Sequence, residues 1–398
     1  GTATFKNVIC RKNKVQNYYG GCLCASKWGS INISNSIIED NLAGNRGGAM
    51  YFNKYSTVGN VVNIESTIIR NNKATRLAAR EGGGGIHAHN GATIKVQNTI
   101  FEDNSAYVGG ALYCHGCDVR FNNITCIHNK AESQGGAVYA IDGRFEANHS
   151  HFISNEAKLN SGGAIHFRED NKATLRTLRS CLIRNNKAGQ TGGGIHLQGN
   201  CQIYDTIITE NQVLHEQETE TKMGGGIFLH SEKATHLLLQ TVVLKNNVAK
   251  SGKGHDIFTY FKYYMPTITV INSDLNADND DNFAGYTHQH SDPNQYKDLP
   301  TCIHNKNGYC GTENCSDTTC NTFSPNAACV GKMNQIEGVK CLAPACNIPN
   351  TGTFHITENC YQTTEVIVKD SLNILGLTNN STGDIPTIFN GGWPSLPI

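Results

Sequence analysis

Four oxygen-bearing side chains at alternate positions form one candidate metal site: Asp274, Asn276, Asp278 and Asp280. Carboxylate and amide oxygens at this spacing resemble the start of a calcium-binding loop. The pattern departs from such a loop at Asn279, where a turn glycine belongs, and at Gly285, where a bidentate glutamate belongs. The segment is therefore either a Ca²⁺ site or a polar cap loop, and the sequence predicts no other cofactor.

Cysteines supply the second candidate chemistry. The chain has 16, and eight of them lie close together in a segment poor in apolar residues: Cys302, Cys310, Cys315, Cys320, Cys329, Cys341, Cys346 and Cys360. This cluster contains no paired CxxC for zinc, so we interpret residues 302–346 as a disulfide-rich module whose pairing is open. A CxxC at Cys114–Cys117 follows a strand-like segment rather than opening a helix, which favours a structural disulfide or free thiols over a redox motif.

Acid–base chemistry has little support in the sequence. Polysaccharide lyases and hydrolases need clustered carboxylates, for calcium or for paired acid–base work. Asp280 and Asp281 form a lone acidic pair in a polar segment. The sequence therefore predicts no catalytic residues and a protein that is not an enzyme.

Two linked motifs recur along the first part of the chain and define its elements. The first is Gly-Gly, a small residue and an aliphatic one, as in GGAM at 47 and GGAI at 162. The second places a bulky residue three positions before an asparagine, which recurs as Asn13, Asn41, Asn72, Asn104, Asn129, Asn155, Asn186, Asn211 and Asn247. Repeats at such short periods indicate a solenoid.

Apolar residues stand eight and ten positions before each asparagine, for example Ile31 and Ile33, with Arg176 as an exception. Positions two apart share one face of a strand. We therefore predict that residues 1–282 form an all-β parallel β-helix of about ten coils, roughly 45 Å long at the strand spacing. The asparagine column is predicted to be a buried ladder of stacked amides.

An aromatic column follows the glycine motif: Cys24, Tyr51, His87, Tyr113, Tyr139, His166, His196, Phe228 and Phe258. His166 and His196 lie in adjacent coils, so they either hold a metal or simply stack with their neighbours. The sequence does not fix whether Met50 or Tyr51 points inward. Cys10 and Cys126 fill bulky inward positions, which indicates buried free thiols.

The pairing of GGA[ILV] with FxxN, literal at Phe101–Asn104 and Phe152–Asn155, resembles the repeat of chlamydial polymorphic outer membrane (Pmp) proteins. The resemblance covers about residues 1–282. It implies a right-handed, pectin-lyase-like β-helix at the cell surface with an adhesive or structural role.

The remaining residues are assigned from composition. Residues 283–301 read as a polar linker, and residues 347–398 are strand-rich and resemble the first coils of a further β-helix. Both chain ends look cut from something longer. We therefore expect head-to-tail self-association into a fibre, or tandem modules in one chain.

Charge and composition narrow the function. Lys+Arg and Asp+Glu both number 33, so a basic surplus for nucleic acid is lacking. No apolar run is long enough for a transmembrane segment. Six sequons, with the cysteines, favour an extracellular glycoprotein: Asn32, Asn123, Asn148, Asn314, Asn379 and Asn380. The hypotheses are a structural rod or filament protein, an adhesin for a host, matrix or carbohydrate ligand, and third, a polysaccharide-active enzyme.

Overall fold

The computed structural model describes residues 1–26, 29–53, 61–76, 82–170, 174–214, 223–231, 235–250, 254–261, 266–271, 273–275, 283–287, 303–305, 352–355 and 372–375. These residues form strands joined by turns, and none of them is helical. The chain divides into two compact units, Gly1–Val339 and Lys340–Ile398.

Within the described part of the first unit, the strands form three parallel sheets. Sheet A has 19 strands: Thr2–Lys6, Ile9–Arg11, Ser30–Ser34, Ile37–Glu39, Val61–Glu65, Ile68–Arg70, Thr93–Glu102, Asp118–Ile127, Phe145–Asn148, His151–Ile153, Arg176–Arg179, Leu182–Arg184, Cys201–Tyr204, Ile207–Thr209, His236–Gln240, Val243–Lys245, Thr267–Ile271, Asp274–Leu275 and Ile303–Asn305. Sheet B has nine: Lys14–Val15, Leu42–Ala43, Lys73–Ala74, Ser105–Val108, Lys130–Gln134, Glu156–Ala157, Lys187–Ala188, Gln212–Val213 and Val248–Ala249. Sheet C has ten: Leu23–Ser26, Met50–Asn53, Ile86–His89, Leu112–His115, Val138–Ile141, Ile165–Arg168, Ile195–Gln198, Ile227–Ser231, Ile257–Phe261 and Phe283–Thr287.

In each coil the chain passes through sheets A, B and C in this order. The next coil then adds its strands beside those of the coil before it. Thr2 pairs with Ser30 and Ser30 with Val61, always in parallel register. We number the coils one to nine by their strands in sheet B. This arrangement confirms the predicted all-β parallel β-helix.

The interior is formed by the columns that lie eight and ten residues before each asparagine. Ile33, Ile64, Val96 and Phe121 stack in register, and each is at most 3% exposed. Alternation along each strand places the residues between them on the outer face. Burial of β-branched and aromatic side chains along this single core accounts for the stability of the solenoid.

Sharp corners separate the strands, and residues in the left-handed region form them. Asp103 has φ 51° immediately before Asn104, and equivalent residues precede the other ladder asparagines. Gly109 has φ 61°, and a Cβ there would meet the Leu112 carbonyl oxygen at 2.2 Å. Only glycine fits this turn, which explains why the Gly-Gly motif recurs before the first eight strands of sheet C.

The ladder of strands continues past residue 282. Phe283–Thr287, inside the segment expected to be a linker, pairs in parallel with Ile257–Phe261, and Ile303–Asn305 pairs with Thr267–Ile271. Backbone pairing does not require an apolar pattern, so the polar composition concealed these strands. In the second unit, Gly352–His355 and Leu372–Leu375 form a parallel pair; the eight clustered cysteines lie outside the described residues.

Candidate functional site

The asparagine column forms one continuous row of side-chain hydrogen bonds through nine coils. Each amide nitrogen donates to the amide oxygen of the next asparagine at 2.8–3.0 Å, from Asn13 to Asn247. From Asn41 onward these residues are at most 5% exposed. The row therefore lies inside the solenoid, at the corner between sheets A and B.

Every amide within the row uses its remaining hydrogen-bonding capacity on the backbone. Asn129 shows the pattern: its second N–H donates to the Phe101 carbonyl at 2.9 Å, and its oxygen also accepts the Asn104 backbone N–H at 3.1 Å. The same bonds recur at the other coils. Asparagine suits this position because its side chain offers a carbonyl acceptor and two donors.

Within the described residues, the last asparagine of the row contacts a carboxylate. Asn247 donates to Asp256 Oδ1 at 2.7 Å, and Asp256 is 1% exposed. Asp256 belongs to the degraded glycine motif of coil nine. Its carbonyl oxygen accepts the backbone N–H of Ile227, the residue after Gly226 in the preceding coil. In that earlier coil Gly226 lies against the Asn247 amide. The replacement of glycine by aspartate at this position was the sequence signal for the terminating group.

The aromatic column forms a second ladder, on the outer side of sheet C. Met50 and Phe52 point into the solenoid core, so Tyr51 between them points outward. Eight consecutive ring pairs have centroids 4.2–5.7 Å apart, running from Tyr19 through Tyr51, His87, Tyr113, Tyr139, His166, His196 and Phe228 to Phe258. Connecting segments cover the rings from His87 onward, which are at most 7% exposed.

The ladder histidines are held in their neutral form. Burial lowers the pKa of His166 to about 3 and lowers the pKa of His87 and of His196 well below the usual value. His166 and His196 stack at 4.2 Å with their planes 3° apart, and His196 Nδ1 contacts the Thr191 hydroxyl at 2.9 Å. Parallel stacked rings of this kind are a packing arrangement. Among the described residues no group of three or more His, Cys, Asp or Glu side chains is suited to hold a metal.

Cysteines in the solenoid differ in part from expectation. Cys126 is a buried free thiol as predicted, but Cys10 forms a disulfide with Cys22, their Cα atoms 6.1 Å apart. The prediction of a free Cys10 was wrong because the turns of coil one bring Cys22, just before the first strand of sheet C, close to Cys10 in sheet A. Sequence spacing alone does not reveal this contact. Cys114 and Cys117 are both free and buried. Burial raises the pKa of the Cys117 thiol well above its usual value, which disfavours the thiolate at that residue.

Arg176, the exception in the interior columns, is fully buried and binds backbone carbonyls. Its guanidinium donates to the Gln198 and Arg168 carbonyls at 2.8 and 2.7 Å. Glu169 lies 3.9 Å away, and the group stands over the Phe167 ring at 5.2 Å. These contacts make Arg176 a structural residue of the turn between sheets C and A.

Three candidate glycosylation sites are described, and all have accessible side chains. Asn123 is exposed at a corner, whereas Asn32 and Asn148 are half-buried on the outer face of sheet A. Asn32 Oδ1 accepts from Asn63, which leaves its own amide nitrogen available for a glycan. Asn314, Asn379 and Asn380 lie outside the described residues.

The candidate calcium loop is almost wholly outside the described part of the chain. Asp274 begins the two-residue strand Asp274–Leu275, and Asn276, Asp278 and Asp280 are not described. Within the described ranges no helix is long and apolar enough to cross a membrane.

Comparisons with known proteins agree with this architecture. The family model of the Chlamydia polymorphic membrane protein (Chlamydia_PMP) repeat matches residues 98–115. These residues contain Phe101–Asn104 and Gly109–Leu112, so the matched segment joins the ladder asparagine to the glycine turn. The chain therefore carries the Pmp-type repeat on a parallel β-helix.

The chain is also similar to the probable autotransporter YfaL of Escherichia coli (strain K12). The two are 28% identical over 138 residues, which cover 30% of this chain and 11% of that protein. The chain thus spans about a tenth of the length of the curated relative it matches. No solved structure matches the sequence.

Proposed function

We propose that this chain is a non-catalytic, rod-like module of an extracellular surface or filament protein. The observation that carries the proposal is the uninterrupted asparagine row, which ties nine coils together with saturated hydrogen bonds. A row of this kind stiffens the solenoid along its axis while leaving its outer faces free to vary. Similarity to an autotransporter and to the Pmp repeat supports a place at the cell surface.

The end of the solenoid supports assembly from module to module. Coil one has an apolar edge: Val8 is 36% and Ile9 62% exposed. Phe5 and Leu23 line a cavity of about 160 Å³ open at this end. Unpaired strand edges with apolar neighbours favour pairing with further strands. In our proposal the strand-rich residues 347–398 of one module stack on coil one of the next, in the same chain or in another subunit.

Size-exclusion chromatography with light scattering tests this end contact. The double variant Phe5→Asp/Leu23→Asp places charges on the edge of coil one, and it is expected to abolish oligomers of the full chain. Leu175→Asp, on a side chain that is 47% exposed in coil seven, is the matched control and should associate like the parent. Oligomers unaffected by the double variant would refute the end contact.

Glycosylation belongs to the same proposal. We expect N-glycans at Asn32, Asn123 and Asn148 when the protein passes through a eukaryotic secretory pathway. Mass spectrometry after glycosidase treatment in heavy-oxygen water would mark each occupied asparagine. Unmodified Asn32 in such material would contradict the secretory part of the proposal.

An adhesin is the second candidate, favoured by the similarity to an autotransporter. Its exposed faces would then bind a host, matrix or carbohydrate ligand. A glycan array and a matrix-protein panel probed with the full chain separate the two functions. Specific saturable binding would support the adhesin, and a calcium-dependent release of unsaturated sugars from pectate would instead support the third candidate, a polysaccharide lyase.

A further inference from the structure

An exposed aliphatic stripe runs up the outer face of sheet A in coils one to four. Ile9, Ile37, Ile68 and Ile100 are in-register neighbours in successive coils. Their inward neighbours are core residues, so these four side chains point to solvent. Ile9 is 62% and Ile100 40% exposed, while the two between them are half-buried.

A column of alternating charge runs beside the stripe, two residues further along each strand. Arg11, Glu39, Arg70 and Glu102 occupy it in coils one to four. Arg70 donates to Glu39 Oε2 at 2.7 and 2.9 Å within the chain. At the corner that follows this column, coil one has the positive Lys12 and coil four the negative Asp103. The two ends of the stripe therefore differ in the sign of their charge here as well.

We propose that a second copy of this chain docks antiparallel on this stripe, with the twofold axis between coils two and three. In this arrangement each coil faces its counterpart in reverse order, one against four and two against three. Ile9 then meets Ile100 of the second copy, and Ile37 meets Ile68. Arg11 faces Glu102, and Glu39 faces Arg70, so every charge in the column meets its opposite.

The charge pattern selects this geometry over its alternative. In a parallel, in-register packing, each coil meets the same coil of the second copy. Charges of opposite sign, which lie in different coils, then stay apart. The antiparallel dyad instead makes the patch self-complementary in both shape and charge. Neither Arg11 nor Glu102 takes part in the Arg70–Glu39 hydrogen bonds, and in the proposed dimer they face each other across the dyad.

The size of the patch predicts a weak contact. Four coils span about 14 Å at the strand spacing, and a stripe of four isoleucines over that length covers far less than the roughly 800 Å² per partner of a standard interface. Lateral pairing therefore becomes effective when many modules are joined, because a second contact between linked modules is effectively intramolecular. This inference rests on the filament proposal for its biological use but not for its geometry.

Sedimentation velocity of the full chain over a wide concentration range tests the stripe. The double variant Ile37→Lys/Ile68→Lys is expected to weaken side-by-side dimerisation at least about tenfold, because lysines would then face each other across the dyad. Ile100→Lys, at a more exposed position, should act in the same direction. Val248→Lys, on a side chain that is 43% exposed in sheet B, is the matched control. Circular dichroism verifies that each variant folds.

Charge reversal tests the antiparallel register. Arg11→Glu or Glu102→Arg alone is expected to weaken dimerisation several-fold, and the combination Arg11→Glu/Glu102→Arg should restore it. All of these measurements are made in the Phe5→Asp/Leu23→Asp background, which removes end contacts and so keeps the two kinds of association distinguishable. No dimer at any concentration, or a double reversal as weak as the single ones, would overturn the proposal.

Discussion

The buried asparagines combine a large desolvation cost with full hydrogen bonding. A buried amide without partners would destabilise the fold, but in this row each side chain both donates and accepts on the coils above and below. Each asparagine is thus fixed by its neighbours, and it fixes the corner that follows a left-handed residue. The row couples adjacent coils through side chains as well as through backbone pairing.

Asn129→Ala tests that coupling. The substitution leaves the Asn104 amide and the Asn155 oxygen without their side-chain partner, and it frees the Phe101 carbonyl. We expect a loss of about 3 kcal/mol in unfolding free energy, measured by urea titration. Asn122→Ala, at an exposed position in the same coil, is the control and should be near neutral. Equal effects would contradict the ladder's role.

The stacked histidines predict a stability that depends on pH. Below pH about 6.5 the unfolded chain takes up protons on these side chains, whereas burial keeps the pKa of His166 at about 3 in the fold. The stability that the neutral, stacked histidines contribute is therefore complete above pH 6.5 and is lost as pH falls towards 3. Arg168 and Arg176 lie near enough to His166 to add to this effect.

Thermal unfolding between pH 7 and pH 4 measures this pH dependence of stability. We expect the parent melting temperature to fall by about 5 °C more than that of His166→Phe/His196→Phe, whose rings stack without titrating. Identical pH profiles in the two proteins would show that the histidines carry no linked protons.

At the scale of elements, much of the fold follows from period-two alternation. The columns eight and ten residues before each asparagine are apolar at nearly every coil, and one buried face is enough to fix a strand's register. Sheet C was harder to assign because its strands are covered on both sides, as Met50 and Tyr51 show. An apolar run without alternation does not indicate which side chains face the core.

Other features depend on contacts between distant residues. The Cys10–Cys22 disulfide follows from the path of coil one, and the role of Asp256 follows from its place above Asn247. The disulfide has no local sequence pattern, and the aspartate in place of glycine at residue 256 does not by itself reveal its partner. The strand Phe283–Thr287 was concealed for a related reason, since its pairing depends on the neighbouring strand rather than on its own composition.

Phe121→Asp tests the register of sheet A. Phe121 is 1% exposed and packs between Phe101 and Phe145. A carboxylate in this place should cost at least about 4 kcal/mol of unfolding free energy, in urea titrations followed by circular dichroism. Asn122→Asp, one residue along and facing outward, should cost far less. A mild effect at residue 121 would place the core on the other face of the strand.

At the largest scale, the repeat builds a parallel β-helix in the first unit. The nine strands of sheet B extend over roughly 38 Å at the strand spacing. The sides vary from coil to coil and carry candidate glycan sites and the isoleucine stripe. In our proposal, strand edges at the ends of this β-helix join unlike surfaces, and such contacts propagate an assembly.

Negative-stain electron microscopy of the intact protein shows whether its modules assemble end to end. We expect unbranched fibres one or two β-helices wide in the parent, and particles no longer than one module in the Phe5→Asp/Leu23→Asp variant. Discrete particles no longer than one β-helix at every concentration, with the variant indistinguishable from the parent, would contradict end-to-end assembly.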